Sequence, residues 1–231
     1  MLGTLINAVT VAIGGSAGLL LKGRLPESVS RIIFHVLGVF TLILGFQETA
    51  KSDDLLLMML SVVVGSIVGQ LAQLEERLGR FADRFNPEKE NAGFTKGLMT
   101  AFMLFCVGTL TVLGCFEEGT TGNRRLIVTK SVMDLFSSAA LATVFGRGVL
   151  LSIVPLVLYQ GGLTLGAGWM SEIMTAEMMN EMAAAGGLML IALGINILEI
   201  KEIRVVNMLP GLIIVVFATY LAQRFNFYSV L

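Results

Sequence analysis

The chain has 231 residues, 55% of them apolar and 14% charged, with a mean hydropathy of +0.82 and a formal net charge of −1. A soluble domain carries about 25% charged residues, so a soluble fold of this length would lack the charges to cover its surface. Near-zero charge excludes a nucleic-acid footprint. His35, Cys106 and Cys115 are too few and too scattered for a zinc site or a disulfide scaffold.

A bilayer core is crossed by about 20 apolar residues in helix. Apolar runs broken by charges predict an all-α transmembrane bundle of about eight spans. They lie near 3–21, 31–47, 55–74, 95–115, 126–146, 149–169, 183–199 and 205–223. Continuous rather than alternating runs favour helices over a barrel. Counts of six or seven stay open if a segment is re-entrant, with FMLFCVGTLTVLGC broken at Gly108 and Gly114 as the candidate. Thr109 and Thr111 could there satisfy freed backbone groups.

The first run has no basic residues before it, but Lys22 and Arg24 follow it, the pattern of a retained span rather than a cleaved leader. Lys22, Arg24, Arg31, Arg77, Arg80, Arg84, Lys89, Lys96, Arg147, Lys201 and Arg204 fall on one side of an eight-span chain. Lys51, Arg124, Arg125 and Arg224 fall on the other. The first side is therefore expected in the cytoplasm, with both termini outside, in a multi-pass cell (inner) membrane protein. In the cytoplasmic loop 75–96, Leu74, Leu78, Phe81 and Phe85 against charges predict a short amphipathic surface helix; a solvated helix without lipid contact is the alternative. The tail EEGTTGNRR is expected as a solvated outer loop.

The chain's two ends resemble each other. VAIGGSAG, with Gly14, Gly15 and Gly18, parallels LYQGGLTLGAG, with Gly161, Gly162, Gly166 and Gly168. LGVFTLILGFQ parallels GGLMLIALGIN, aligning Gly38 with Gly187, Gly45 with Gly194, and Gln47 with Asn196. Spans one to three would then match six to eight at an odd offset, an inverted-topology repeat as in secondary transporters. This divides one transmembrane domain, 1–231, into a first repeat (1–74), an amphipathic loop (75–94), central spans (95–146) and a second repeat (147–231). The second and seventh spans are expected to be short, and the Gly-Gly steps to open the backbone. TKGLMTAF at 95–102 and TKSVMDLF at 129–136 make a further inverted pair.

Charges inside hydrocarbon are expensive and mark function by default. Lys130 and Asp134 stand one turn apart on one face of the fifth span, followed by Ser137 and Ser138. Asp134 lies about 12 Å along the helix. The face should line a cavity or another helix; a fixed staple, or Lys130 snorkelling to the interface, are the alternatives. Asn7, Gln47, Gln160 and Asn196 are further intramembrane amides. The candidate pathway is Lys130, Ser131, Asp134, Ser137, Gln160, Gly161, Gly162, Asn196, Gln47, Asn7, Gly14 and Gly15. Close packing through small residues is the competing account of the glycines. Thirteen methionines invite Cu(I), but acidic residues alternate with those in IMTAEMMNEMAAAGGLM and Met is a routine packing residue. No nucleophile is paired with a base and no His/carboxylate cluster stands out, so no catalytic residue, metal or cofactor is assigned. A coupling proton or Na⁺ stays open.

KSVMD, FCVGTLTVLG, YQGG and LGINILEIKEIRVVNMLP together resemble the bacterial integral-membrane family known as domain of unknown function 554, over nearly the whole chain. The resemblance implies a multi-span inner-membrane protein of transporter type, without a substrate. Lys130, Ser131, Asp134, Gln160, Gly161 and Asn196 match the family pattern. The expected function is a transporter or channel for a small polar solute or ion, with its path between two inverted halves. The alternative is a membrane scaffold or regulatory subunit that uses loop 75–96. The expected partners are the bilayer and the solute; a homo-oligomer stays open.

Overall fold

The computed structural model describes residues 1–24, 26–84, 92–106, 109–171 and 173–225. Helices dominate and no strand occurs among these residues: α1 (Leu2–Leu21), α2 (Glu27–Thr49), α3 (Leu55–Leu71), α4 (Leu74–Arg84), α5 (Ala92–Cys106), α6 (Thr109–Thr121), α7 (Arg125–Phe145), α8 (Gly148–Leu151), α9 (Ile153–Met170), α10 (Ala176–Ile197) and α11 (Pro210–Arg224). Local chemistry sets several boundaries. The Asp54 carboxylate accepts the Leu57 amide at 2.9 Å and starts α3. The Thr175 hydroxyl accepts the Met178 amide at 3.2 Å and starts α10. Gly146, at φ +73°, ends α7 in a conformation a side chain resists.

Six helices are long and apolar enough to cross a membrane, or eight if the bent pairs α3–α4 and α5–α6 each count as one span, and the packed pairs show their directions. Gly14 and Gly18 of α1 lie on the Leu135 and Ala139 carbonyls of α7, so these two helices run parallel. Gly38 faces Gly194 while Gly45 faces Gly187, so α2 and α10 run antiparallel. Gly65 faces Gly211 while Gly69 faces Asn207, so α3 and α11 do too. Parallel α1 and α7 require an odd number of crossings between them. The pair α5 and α6, bent by 57°, would satisfy this if it counts as one span. Leu5, Val9 and Ile13 on α1, Ile32, Val36 and Ile43 on α2, Leu60, Val64 and Ile67 on α3, and Ile213 and Phe217 on α11 stay exposed, a surface suited to lipid tails. The most enclosed helix is α10, packed against α2, α3, α5, α6 and α11.

Three expectations need correction. The second and seventh spans are not short: α2 has 23 residues and α10 has 22, because both continue through polar sequence at their starts. The Gly-Gly steps do not open the backbone, since both α1 and α9 are continuous through them. Nor is the stripe on α4 uniform. Leu78 packs inward on Phe94 and Leu98, while Phe81 lies with the arginines on the other side. Phe85, Lys89 and Gly108 lie outside the described residues.

Candidate functional site

Helix α7 turns Ile127, Lys130, Ser131, Asp134, Ser138 and Leu141 inward and leaves Val128, Val132 and Phe136 outside, as its periodicity requires. Lys130 and Asp134 are 7% and 2% exposed. The Lys130 ammonium donates to Asp134 Oδ1. The other carboxylate oxygen accepts from Asn7 Nδ2 at 3.1 Å. Lys130 also donates to the Leu104 carbonyl at 3.3 Å and lies 5.7 Å from the centre of the Phe105 ring. Leu104 is in the last turn of α5, where helix carbonyls lack a partner in the helix and a cation is favoured. Thr111 Oγ1 donates to the next carbonyl, that of Phe105, at 3.0 Å. Thr111 thus plays the part its sequence suggested; the Thr109 side chain lies outside the described residues. The pair joins α1, α5 and α7 at the bend of the fourth span.

One crevice reaches this pair and a second lies nearby. A narrow one of about 40 Å³ is lined by Phe40, Glu48, Lys130, Asp134, Ser137 and Leu190. Glu48, near the end of α2, marks the side of the 50–54 turn. A wider one of about 260 Å³ enters from the end rich in Lys and Arg, past Glu75, Lys96, Glu199 and Glu202, and reaches Thr100, Met103, Phe145 and Leu193. Burial pushes the Glu75 carboxyl above its usual value, against the pull of the Val206 backbone and of Arg204. Leu190 lines one crevice and Leu193 the other, while Leu104 and Met103 are adjacent on α5. The α10 residues that line them are thus about one helical turn apart.

The other candidate residues scatter. Ser131 and Ser138 bond back to the Ile127 and Leu135 carbonyls of their own helix, so Ser137 is the serine that meets the crevice. Gln47 is exposed on the flank of α2. Asn196 lines the wide crevice and also ties down the turn after α10, exchanging two 2.7 Å hydrogen bonds with the Ile203 backbone. Gly14 and Gly15 pack α1 on α7 and on Leu150. Gly161 touches only the tip of Met1, and Gly162 faces open space. Gln160 is fully buried, yet among the described residues neither atom of its amide has a hydrogen-bond partner; the Thr4 hydroxyl shares this state.

Two acids escaped the sequence reading. Glu118, in the tail expected to be solvated, is buried. Its Oε1 meets the Met1 amine at 3.0 Å, Arg124 at 3.3 Å and the Gly3 amide at 2.8 Å. Glu181 accepts from Ser52 Oγ at 2.8 Å and from the Asp53 and Asp54 amides at 2.7 and 3.1 Å, pinning the 50–54 turn on α10. Each is an acid set beside an apolar run, a signal that hydropathy averages away. Among the described residues no cluster of metal-ligating side chains occurs.

Comparison with known proteins places these features in a family. A relative from Bacillus subtilis strain 168, named uncharacterized membrane protein YdfK, is 29% identical over 218 residues, 93% of each chain. Another from Escherichia coli K12, named uncharacterized protein YqgA, is 31% identical over 223 residues, 93% of this chain and 94% of the relative. No solved structure matches. The family model described as protein of unknown function (DUF554) matches residues 2–220, and the chain, a membrane protein built of helices, belongs to that family.

Proposed function

We propose that this protein is a transporter or channel for a small polar solute or ion, with its path passing Lys130 and Asp134. One observation carries the reading. A buried, hydrogen-bonded ion pair faces a crevice on one side, and a second crevice, from the opposite end, is lined by residues about one helical turn along α10. A structural staple requires neither crevice. A carboxylate in such a place binds protons or cations according to what surrounds it, which suits it to coupling.

The same reading holds the two ends of the chain to be inverted halves. The alignment that sets Gly38 on Gly187 and Gly45 on Gly194 exchanges the observed contacts: Gly38 with Gly194 becomes Gly187 with Gly45. A two-fold axis in the membrane plane between α2 and α10 would do this. It would also exchange the α1–α7 packing with that of α9 on α6. The excess of Lys and Arg puts the wide crevice in the cytoplasm and both termini outside, in the inner membrane.

Accessibility tests the reading without knowledge of the solute. In a chain with Cys106 and Cys115 replaced by alanine, single cysteines at positions 137 and 100 should react with a membrane-impermeant maleimide from opposite sides. Protection of both positions in native membranes removes the path. Liposome flux of H⁺, Na⁺ and small polyols, compared for wild type and Asp134→Asn, then tests the carboxylate. Unchanged flux removes Asp134 from the mechanism.

A further inference from the structure

Helix α4 follows α3 after two residues at a bend of 54°. The end of α3 is lipid-facing, with Ile67, Val68 and Leu71 exposed, so α4 begins at the level of the lipid headgroups. Its inner side is committed to the protein. Leu78 packs on Phe94 and Leu98, Glu76 accepts Arg204, and Asp83 accepts the Thr95 hydroxyl at 3.2 Å.

The other side carries Arg77, Arg80 and Arg84 with Phe81 among them, around a shallow cleft of about 230 Å³. Their spacing of three, four and seven residues makes one stripe. No carboxylate among the described residues bonds to these three guanidiniums; Arg80 Nε donates to the Glu76 backbone carbonyl at 3.4 Å. Glu76 and Asp83, the acids nearest in sequence, are engaged elsewhere. Three like charges within two turns repel one another until an anion sits between them. Guanidinium donors match phosphate oxygens in pairs, and an aromatic ring beside them suits the glycerol and upper acyl region.

We propose that this cleft binds the headgroup of an anionic phospholipid, with the three guanidiniums on the phosphate and Phe81 against the lipid body. The site is independent of the Lys130–Asp134 path and stands without it. It gives α4 a membrane contact made chiefly by charge, because its Leu78 is already used inside the protein. The lipid would hold the entrance of the wide crevice, whose wall includes Glu75 of the same helix.

The test uses the full chain in detergent micelles, titrated with phosphatidylglycerol or phosphatidylcholine and read by native mass spectrometry. The wild type should retain phosphatidylglycerol in preference. The triple variant Arg77→Gln/Arg80→Gln/Arg84→Gln should lose that preference on the order of 100-fold, from about 1 kcal/mol per basic residue. Arg224→Gln, at the far end, should keep it, and Phe81→Ser should weaken retention of both lipids. Inorganic phosphate at tens of millimolar should not displace the lipid. Undiminished preference in the triple variant overturns the proposal, and so does displacement by phosphate alone, which would mark a site for the soluble anion. Should the triple variant fold poorly, Arg77→Glu by itself gives the same reading, since its side chain is exposed.

Discussion

Replacing Lys130 by Met, Asp134 by Leu, and both together separates a working ion pair from a staple. In Asp134→Leu the ammonium keeps only the Leu104 carbonyl at 3.3 Å and the Phe105 ring at 5.7 Å, and Asn7 loses its acceptor. In Lys130→Met the carboxylate keeps only Asn7. Stranding one member of a buried pair costs roughly 3–5 kcal/mol, and the orphaned Asn7 amide adds about 1–3 kcal/mol to the first variant. The double variant removes both charges and fills the space with side chains of similar volume but still orphans the Asn7 amide, so its stability should lie within about 1–3 kcal/mol of the wild type. The coupling between the sites is then at least about 3 kcal/mol. Reversible unfolding in mixed micelles measures it, alongside flux from the same preparations. Single variants that each cost under about 1 kcal/mol, the range of solvent-exposed pairs, would refute the burial argument. A stable double variant with full flux would refute the functional one.

Two further outcomes follow from the packing and from Gln160. Gly14→Ala would place a methyl 2.1 Å from the Leu135 carbonyl and should sharply lower the thermal midpoint, whereas Gly162→Ala meets nothing within 4 Å and should add about 0.5–1 kcal/mol from helix propensity. Calorimetry of the two alanines checks this. Gln160→Leu should stabilise the protein by about 1–3 kcal/mol if its amide is dry, and destabilise it if water or solute meets the amide. The sign of the shift in midpoint decides between them.

Hydropathy alone revealed a bundle of six to eight apolar helices, because lipid demands a continuous apolar run whatever the tertiary partners are. The inward stripe of α7 was equally legible, since a helix fixes which side chains share a face. The lengths of α2 and α10 were not, because hydropathy reports where lipid ends and not where a helix does. Glu27 to Arg31 and Ala176 to Met182 are helical beyond the apolar run. The Asn7–Asp134 bond spans 127 residues and left no trace in local spacing, although each residue stood out alone as polar in an apolar run. Gln47 and Asn196 align, yet one is exposed and the other ties a turn, because the turns that follow them differ.

The Lys130 ammonium grips both a carboxylate on α7 and the Leu104 carbonyl in the last turn of α5. Neutralising Asp134 would leave the ammonium held by the Leu104 carbonyl and the Phe105 ring alone. One ammonium thus bridges an acid on one helix and the backbone at the end of another.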